Sequence, residues 1–205
     1  MNNIFGYKIE ESIYPQMKII ETPKFIFRPM TIIDVPDVYE YLSQEKVVRH
    51  LSFKAHKNIN YTKRFIKSYF VDNYKKGRVG NYAIYYKRDK KVIGNIGLNN
   101  VNSKSKMGEI GICINPKYWG NNLATELTII TLITAFDIMD LDKVVSKTYQ
   151  NNKYTPKSLN NLKFKYVRSF KHSNYNETCH IYELTKQEYL NMKIDYLPSL
   201  INGFN

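Results

Sequence analysis

The residues best able to do chemistry lie between positions 107 and 126. They read MGEIGICIN from Met107 to Asn115 and, past Pro116, YWGNNLATE from Tyr118 to Glu126. The first stretch alternates, placing Ile110, Ile112 and Ile114 on one face of a strand and Glu109, Gly111 and Cys113 on the other. The second is a loop of small residues and Asn that runs straight into an apolar element from Leu123 to about Met139. Thr128, Ile129, Ile130, Thr131 and Ile133 are β-branched and each suits a strand. An unbroken run of about 17 residues is nevertheless far beyond a strand's usual ~5–6, so length makes it a helix. Strand, tight loop and helix in this order form an anion site that suits phosphate. The first-turn N–H groups of a helix lack internal partners and lie at the positive end of its dipole.

Other chemistries have weaker support. His50, His56, His172 and His180 are scattered, and no His, Cys or carboxylate cluster has metal-ligand spacing. No local motif suggests a Cys/His or Ser/His/Asp arrangement, which disfavours a covalent acyl-enzyme. Cys113 and Cys179 sit in apolar, strand-like segments, where a free thiol behaves as a small hydrophobe.

The chain of 205 residues is 43% hydrophobic and contains 18 Tyr, which is ample material for one packed domain and too much for a disordered chain. Uncharged stretches such as Leu127 to Phe136 fall short of the roughly 20 residues that cross a bilayer. The N-terminus has no basic region followed by an apolar run, so the expectation is a soluble cytoplasmic protein with no membrane partner. The net charge of +13 comes from 25 Lys and 6 Arg, beside 22 Asn and 4 Ala, a bias that codons rich in A and T would produce. Two clusters stand out: Lys54 to Lys91 with 12 basic and 2 acidic residues, and Lys153 to Lys171 with 6 basic and none acidic. They are either a solvated exterior or a face that steers anionic partners.

Around these residues the chain alternates strands and helices. Lys24 to Arg28 alternates as a strand, and Thr31 or Asp34 caps a helix to about Ser43 with Pro36 in its first turn. Tyr61, Phe65, Tyr69 and Ile66, Phe70, Tyr74 recur at helical spacing from Asn60 to Lys76, with Gly77 closing the helix. Asn81 to Lys87 and Lys91 to Asn99 read as an antiparallel hairpin. Asp142 to Tyr149, Phe164 to Phe170 and Thr178 to Leu184 read as strands. Thr155 precedes Pro156 as a plausible helix cap, and TKQE at Thr185 to Glu188 fits a capping box for a short helix to about Met192. The tail from Tyr196 to Asn205 has Leu197, Leu200, Ile201 and Phe204 at helical spacing and can dock on the body or on a second subunit. No repeat or linker divides the chain.

These elements and motifs resemble the GNAT acyl-CoA-dependent N-acetyltransferases, and within them the branch that includes the ribosomal-protein N-terminal acetyltransferases. The resemblance rests on FIFRP at Phe25 to Pro29, VIGNIGL at Val92 to Leu98, EIGICINPKYWGNNLATEL from Glu109 to Leu127, and Asn152, Thr155, Leu159 and Phe164 in the frame of the last motif. It covers roughly Glu21 to Leu184. It implies an α+β fold, a central mixed and mostly antiparallel sheet of about six or seven strands flanked by about four helices. Residues 1–205 would form a single domain with a core at about 21–184 and short extensions at both ends.

The resemblance also implies direct attack of an amine on the thioester of acetyl-CoA, with no metal. Trp119, Gly120, Asn121, Asn122, Leu123, Ala124 and Thr125 would hold the pyrophosphate. Backbone N–H groups near Ile112, Cys113 and Ile114 would hold the pantetheine arm and the thioester oxygen. Asn152 would contact the arm, Glu109 would take the amine's proton, and Thr155 would assist the departing thiolate, with Tyr154 as a fallback donor. Plainer roles stay open beside these. Glu109 can pair with a lysine, Asn152 can order a turn, Thr155 can cap its helix, and Trp119 can pack the loop. Two positions depart from the family, Asn122 and Lys163 standing where it has Gly; Asn tolerates a left-handed backbone, whereas Lys there costs on the order of 1 kcal/mol.

The implied partners are acetyl-CoA and an amine, either a protein N-terminus, such as that of an acidic or ribosomal protein, or a small molecule, with the chain a monomer or homodimer. A GNAT-like acyl-CoA-binding module without turnover is the alternative. An RNA-associated basic protein is a further one, with nucleic acid the least favoured partner.

Overall fold

The computed structural model describes residues 2–51, 53–120, 122–172 and 177–202. Contacts divide the chain into two compact units, residues 1–97 with 112–119, and residues 98–111 with 120–205.

The first unit begins with strands β1 (Asn2–Ile4), β2 (Tyr7–Glu10), β3 (Ile19–Glu21) and β4 (Phe25–Pro29), each antiparallel to the next. In β4 the alternation of FIFRP buries Phe25, Phe27 and Pro29 while Arg28 turns the other way. Arg28 grips Asp34 through two bonds of 2.9 and 2.7 Å, and Asp34 accepts the Thr31 N–H at 2.7 Å. That carboxylate joins the strand to the 3-10 turn Ile32–Asp34 and helix α1 (Val35–Leu42). The short helix α2 (Glu45–Val48), absent from the sequence reading, follows.

Asn58 accepts the Tyr61 N–H at 2.9 Å and so caps α3 (Ile59–Phe65). A π-helical stretch, Ile66–Val71, leads into α4 (Asp72–Lys75), and Gly77 ends the helix at φ +72°. The expected periodicity holds for one row only: Ile66, Phe70 and Tyr74 are buried, whereas Tyr61 and Tyr69 of the other row are exposed. His56 is packed edge-on to Tyr61 and Phe65, with Nδ1 2.9 Å from Thr62 Oγ1. Strands β5 (Asn81–Tyr86) and β6 (Lys91–Asn102) form the expected hairpin, β5 also pairing with β4.

Gly94 of the VIGNIGL motif has a packing reason. A Cβ there would lie 2.3 Å from the Cys113 carbonyl oxygen, which excludes any side chain without backbone movement.

In the second unit, β7 (Met107–Ile114) contributes its first residues, which run parallel to β8 (Lys143–Tyr149) from Met107↔Lys143 to Glu109↔Val145. Strand β8 pairs antiparallel with β10 (Glu177–Thr185), and β10 with β9 (Lys165–His172). Helix α5 (Leu123–Leu132) continues through a π-helical stretch, Ile133–Ile138, and is a helix as length required. Leu127, Ile129, Ile130, Leu132 and Ile133 are each at most 1% exposed, so the β-branched run serves an all-round buried helix. Helix α6 (Thr155–Asn161) follows β8.

The C-terminal expectation needs correction. The capping box is present, Thr185 N–H donating to Glu188 Oε2 at 2.9 Å and Glu188 N–H to Thr185 Oγ1 at 3.3 Å. The helix it opens, α7, runs from Lys186 to Asn202 and absorbs most of the separate tail, Phe204 lying outside the described residues. Burial of Tyr189, Leu197 and Ile201 and the bond from the Tyr196 hydroxyl to the Asn161 carbonyl hold it in this unit despite Pro198.

The β8–β7 pair is parallel and the other strand pairings given above are antiparallel, the mixed α+β arrangement expected. The described residues form ten strands, more than the six or seven expected, because residues 2–21 add β1, β2 and β3. Among the described residues no helix is long and apolar enough to cross a membrane. Both cysteines are free and buried.

Candidate functional site

In the second unit, the loop before α5 reverses through two unusual backbone positions. Gly120 has φ +107°, and Asn122, the N-cap residue, has φ +58° in the left-handed region. Asn occupies that region at small cost, so its presence in place of Gly preserves the turn. The turn then uses some of the N–H groups expected to point outward. Leu123 N–H donates to Gly120 O at 3.0 Å, and Thr125 and Glu126 N–H donate to Asn122 O at 2.8 and 3.2 Å.

Side chains in this segment divide sharply. Gly120 and Asn122 are exposed, Leu123 and Ala124 half-buried, and Thr125 buried at 1% with its hydroxyl 3.5 Å from the Asn161 amide of α6. Thr125 thus has a packing role, and Asn121 lies outside the described residues.

Glu109 lies on β7 in the same unit. Its carboxylate is engaged: Oε2 accepts from Lys147 Nζ at 2.6 Å and from Asn100 Nδ2 at 3.1 Å. The lysine partner left open by the sequence is therefore Lys147 of β8, a residue the sequence reading missed. Its signal was the alternation of β8, which places Lys147 on the same face as Val145, the parallel partner of Glu109. The pair stays accessible, with 20% of the Glu109 side chain and 42% of that of Lys147 exposed.

Asn152 and Thr155 are also brought together. Asn152 Oδ1 accepts the N–H groups of Tyr154 and Thr155 at 3.1 and 3.2 Å, and its Nδ2 donates to Thr155 Oγ1 at 2.9 Å. The expectation that Thr155 caps α6 is corrected: Thr155 is the first residue of the helix, and Asn152 supplies the capping oxygen. Thr155 Oγ1 accepts from Asn152 and keeps its own hydrogen to donate. Tyr154, the fallback donor, is 83% exposed. Lys163 has φ +58°, the left-handed conformation the family's Gly implied, and its ammonium lies 4.8 Å from the Tyr196 ring centroid. That cation–π contact offsets part of the backbone cost.

The end of β7 departs from simple alternation. Ile110 and Ile114 are buried as expected, but Ile112 is half-buried and Cys113 is buried, its thiol pushed up to about 12 by desolvation. Burial and not thiolate chemistry accounts for Cys113. Trp119 is 51% exposed, and its indole N–H donates to the Ile114 carbonyl at 2.8 Å.

The segment from Asn115 is braced. Asn115 Nδ2 donates to Glu40 Oε1 at 3.0 Å, and Lys117 and Lys91 pair with the same carboxylate at 2.8 and 2.6 Å. The bond from Lys117, then that from Lys91, draws the Glu40 carboxyl down to about 2. Tyr118 donates its hydroxyl hydrogen to Asp89 at 2.6 Å.

Residues 120–125, the second-unit loop and the first turn of α5, carry no acidic side chain, and open space lies beside Gly120 where a Cβ would project, a setting at the positive end of a helix that suits a polyanion.

The comparisons with known proteins agree with this fold. The acetyltransferase (GNAT) domain family matches residues 24–165. An uncharacterized N-acetyltransferase, p20, of Bacillus licheniformis is 23% identical over 148 residues, 72% of this chain and 83% of that protein. The ribosomal-protein-S5-alanine acetyltransferase of Vibrio fischeri superposes with a TM-score of 0.73 at 16% identity, covering 83% of this chain and 98% of that one. The microcin C7 self-immunity acetyltransferase MccE, solved with acetyl-CoA and AMP, gives a TM-score of 0.69 at 19% identity, covering 80% and 93%. The chain belongs to the GNAT acetyltransferase family.

Proposed function

We propose that the protein transfers an acetyl group from acetyl-CoA to an amine by direct attack. The observation that carries this reading is the left-handed turn at Asn122 opening helix α5, with open space beside Gly120. The positive end of α5 and the exposed Gly120 and Asn122 favour the pyrophosphate of CoA. Acetyl-CoA, when bound, supplies the thioester. A neighbour of the same fold solved with acetyl-CoA supports the choice.

Attack requires the amine lone pair, so its proton must leave, and Glu109 is the group assigned to accept it. Its engagement with Lys147 and Asn100 holds the carboxylate in one orientation. Thr155 donates a hydrogen bond toward the departing sulfur, its hydroxyl oriented by Asn152. A protein N-terminus is one acceptor class, supported by the likeness to a ribosomal-protein acetyltransferase.

Thiol release from acetyl-CoA with a panel of amines tests the reading. Glu109→Gln is expected to lose about a hundredfold in rate, the lower range of general-base contributions. Acetyl-CoA should still raise the melting temperature of both proteins. Equal rates in the two proteins would refute the base assignment, and no thiol release with any amine would refute the activity.

A further inference from the structure

The Lys147–Glu109 pair has a consequence for the acceptor that rests on the acetyltransferase reading of this site. Before reaction an amine arrives largely as ammonium and meets Glu109 already bound to another cation, Lys147 Nζ at 2.6 Å. A plain amine that displaces Lys147 leaves two cations facing one carboxylate, in a place where the Glu109 side chain is 20% exposed and water screens incompletely. An acceptor carrying its own carboxylate avoids that imbalance. Its ammonium takes Glu109 and its carboxylate takes Lys147, so each group exchanges one opposite charge for another.

The surrounding face favours the same outcome. Cross-strand partners share a face, and the row Lys147↔Ile181↔Arg168 puts a second, exposed cation on the face of Lys147. Two other acidic residues of β10 share that face: Glu183, opposite Val145, is paired with Lys143 at 3.0 Å, and Glu177, at the far end of the strand, accepts from Asn151 Nδ2 at 3.2 Å.

We infer that Lys147 and Glu109 together select an acceptor with a carboxylate within a few bonds of its primary amine. Two sources carry that chemistry, a free amino acid through its α-carboxylate and a peptide N-terminus beginning with Asp or Glu.

The test compares kcat/KM, read as thiol release from acetyl-CoA and expressed per unprotonated amine, within matched pairs: alanine against alaninamide, and a C-terminally amidated Asp-Ala-Ala peptide against its Asn counterpart. In the native protein the acidic member of at least one pair is expected to be favoured about tenfold, the value of one charge-assisted contact. The pair showing the preference identifies the source. In Lys147→Met that ratio should fall to near one, and in Lys147→Arg it should persist. A ratio compares two acceptors on one protein, so partial loss of fold does not imitate the result. A native ratio near one with turnover of neutral amines would overturn the inference and leave the acetyltransferase reading standing, as would a ratio unchanged in Lys147→Met. No thiol release with any amine would overturn both.

Discussion

Replacing Glu40 with Gln asks whether charge braces the segment that follows β7. Glu40 accepts from Lys91 at 2.6 Å, Lys117 at 2.8 Å and Asn115 at 3.0 Å, and Lys117 leads the influences that draw its carboxyl from 4.5 to about 2. A displacement of that size corresponds to about 3 kcal/mol at full value. The side chain is 30% exposed, and solvent screening reduces this to about 1–2 kcal/mol. The folded pKa lies below the unfolded one, so the stabilisation is present above pH 4.5 and is lost as pH falls through about 2. In urea titrations at pH 7, Glu40→Gln is therefore expected to be less stable by about 1–2 kcal/mol, or a Tm about 2–8 °C lower for a chain of this size. At about pH 3 more than half of that gap should have closed, because unfolded Glu40 is then mostly protonated while folded Glu40 is not. A gap unchanged between these pH values, or one smaller than about 0.3 kcal/mol at pH 7, would refute the reasoning.

Two further substitutions probe the packing that positions the site. Gly94→Ala places a methyl group 2.3 Å from the Cys113 carbonyl oxygen, and the required backbone shift should cost about 1–3 kcal/mol in thermal unfolding; an unchanged Tm would show that the two strands yield freely. Arg28→Met leaves Asp34, 4% exposed, without its two guanidinium bonds, and should cost about 3 kcal/mol in urea unfolding, whereas a loss below about 1 kcal/mol would mean the Thr31 N–H suffices.

Much of the chain between Phe25 and Leu184 could be read from residue order because its signals are local. The alternation in FIFRP, the four-residue spacing of Ile66, Phe70 and Tyr74, and the length of the apolar run after Asn122 each reflect one element's own period. The left-handed positions at Asn122 and Lys163 were legible too, since a Gly-demanding site in the family's motif specifies backbone geometry whatever residue stands there. Local signals failed where a longer contact decided. The helix opened by TKQE was expected to stop near Met192, yet burial of Leu197 and Ile201 carries it through Pro198 to Asn202. Thr155 had the right residue type and a following proline for a cap, but Asn152 reaches back from the preceding turn and takes that role.

The candidate site divides along the same line. Residue order by itself determined that a strand bearing Glu109 leads through a small-residue loop into a helix, because those properties depend on side-chain period and chain length alone. Tertiary structure decided what Glu109 touches. The parallel register Glu109↔Val145 brings Lys147 within 2.6 Å across 38 residues of chain, and a register between strands is set by the whole unit's burial, which no short stretch of sequence encodes.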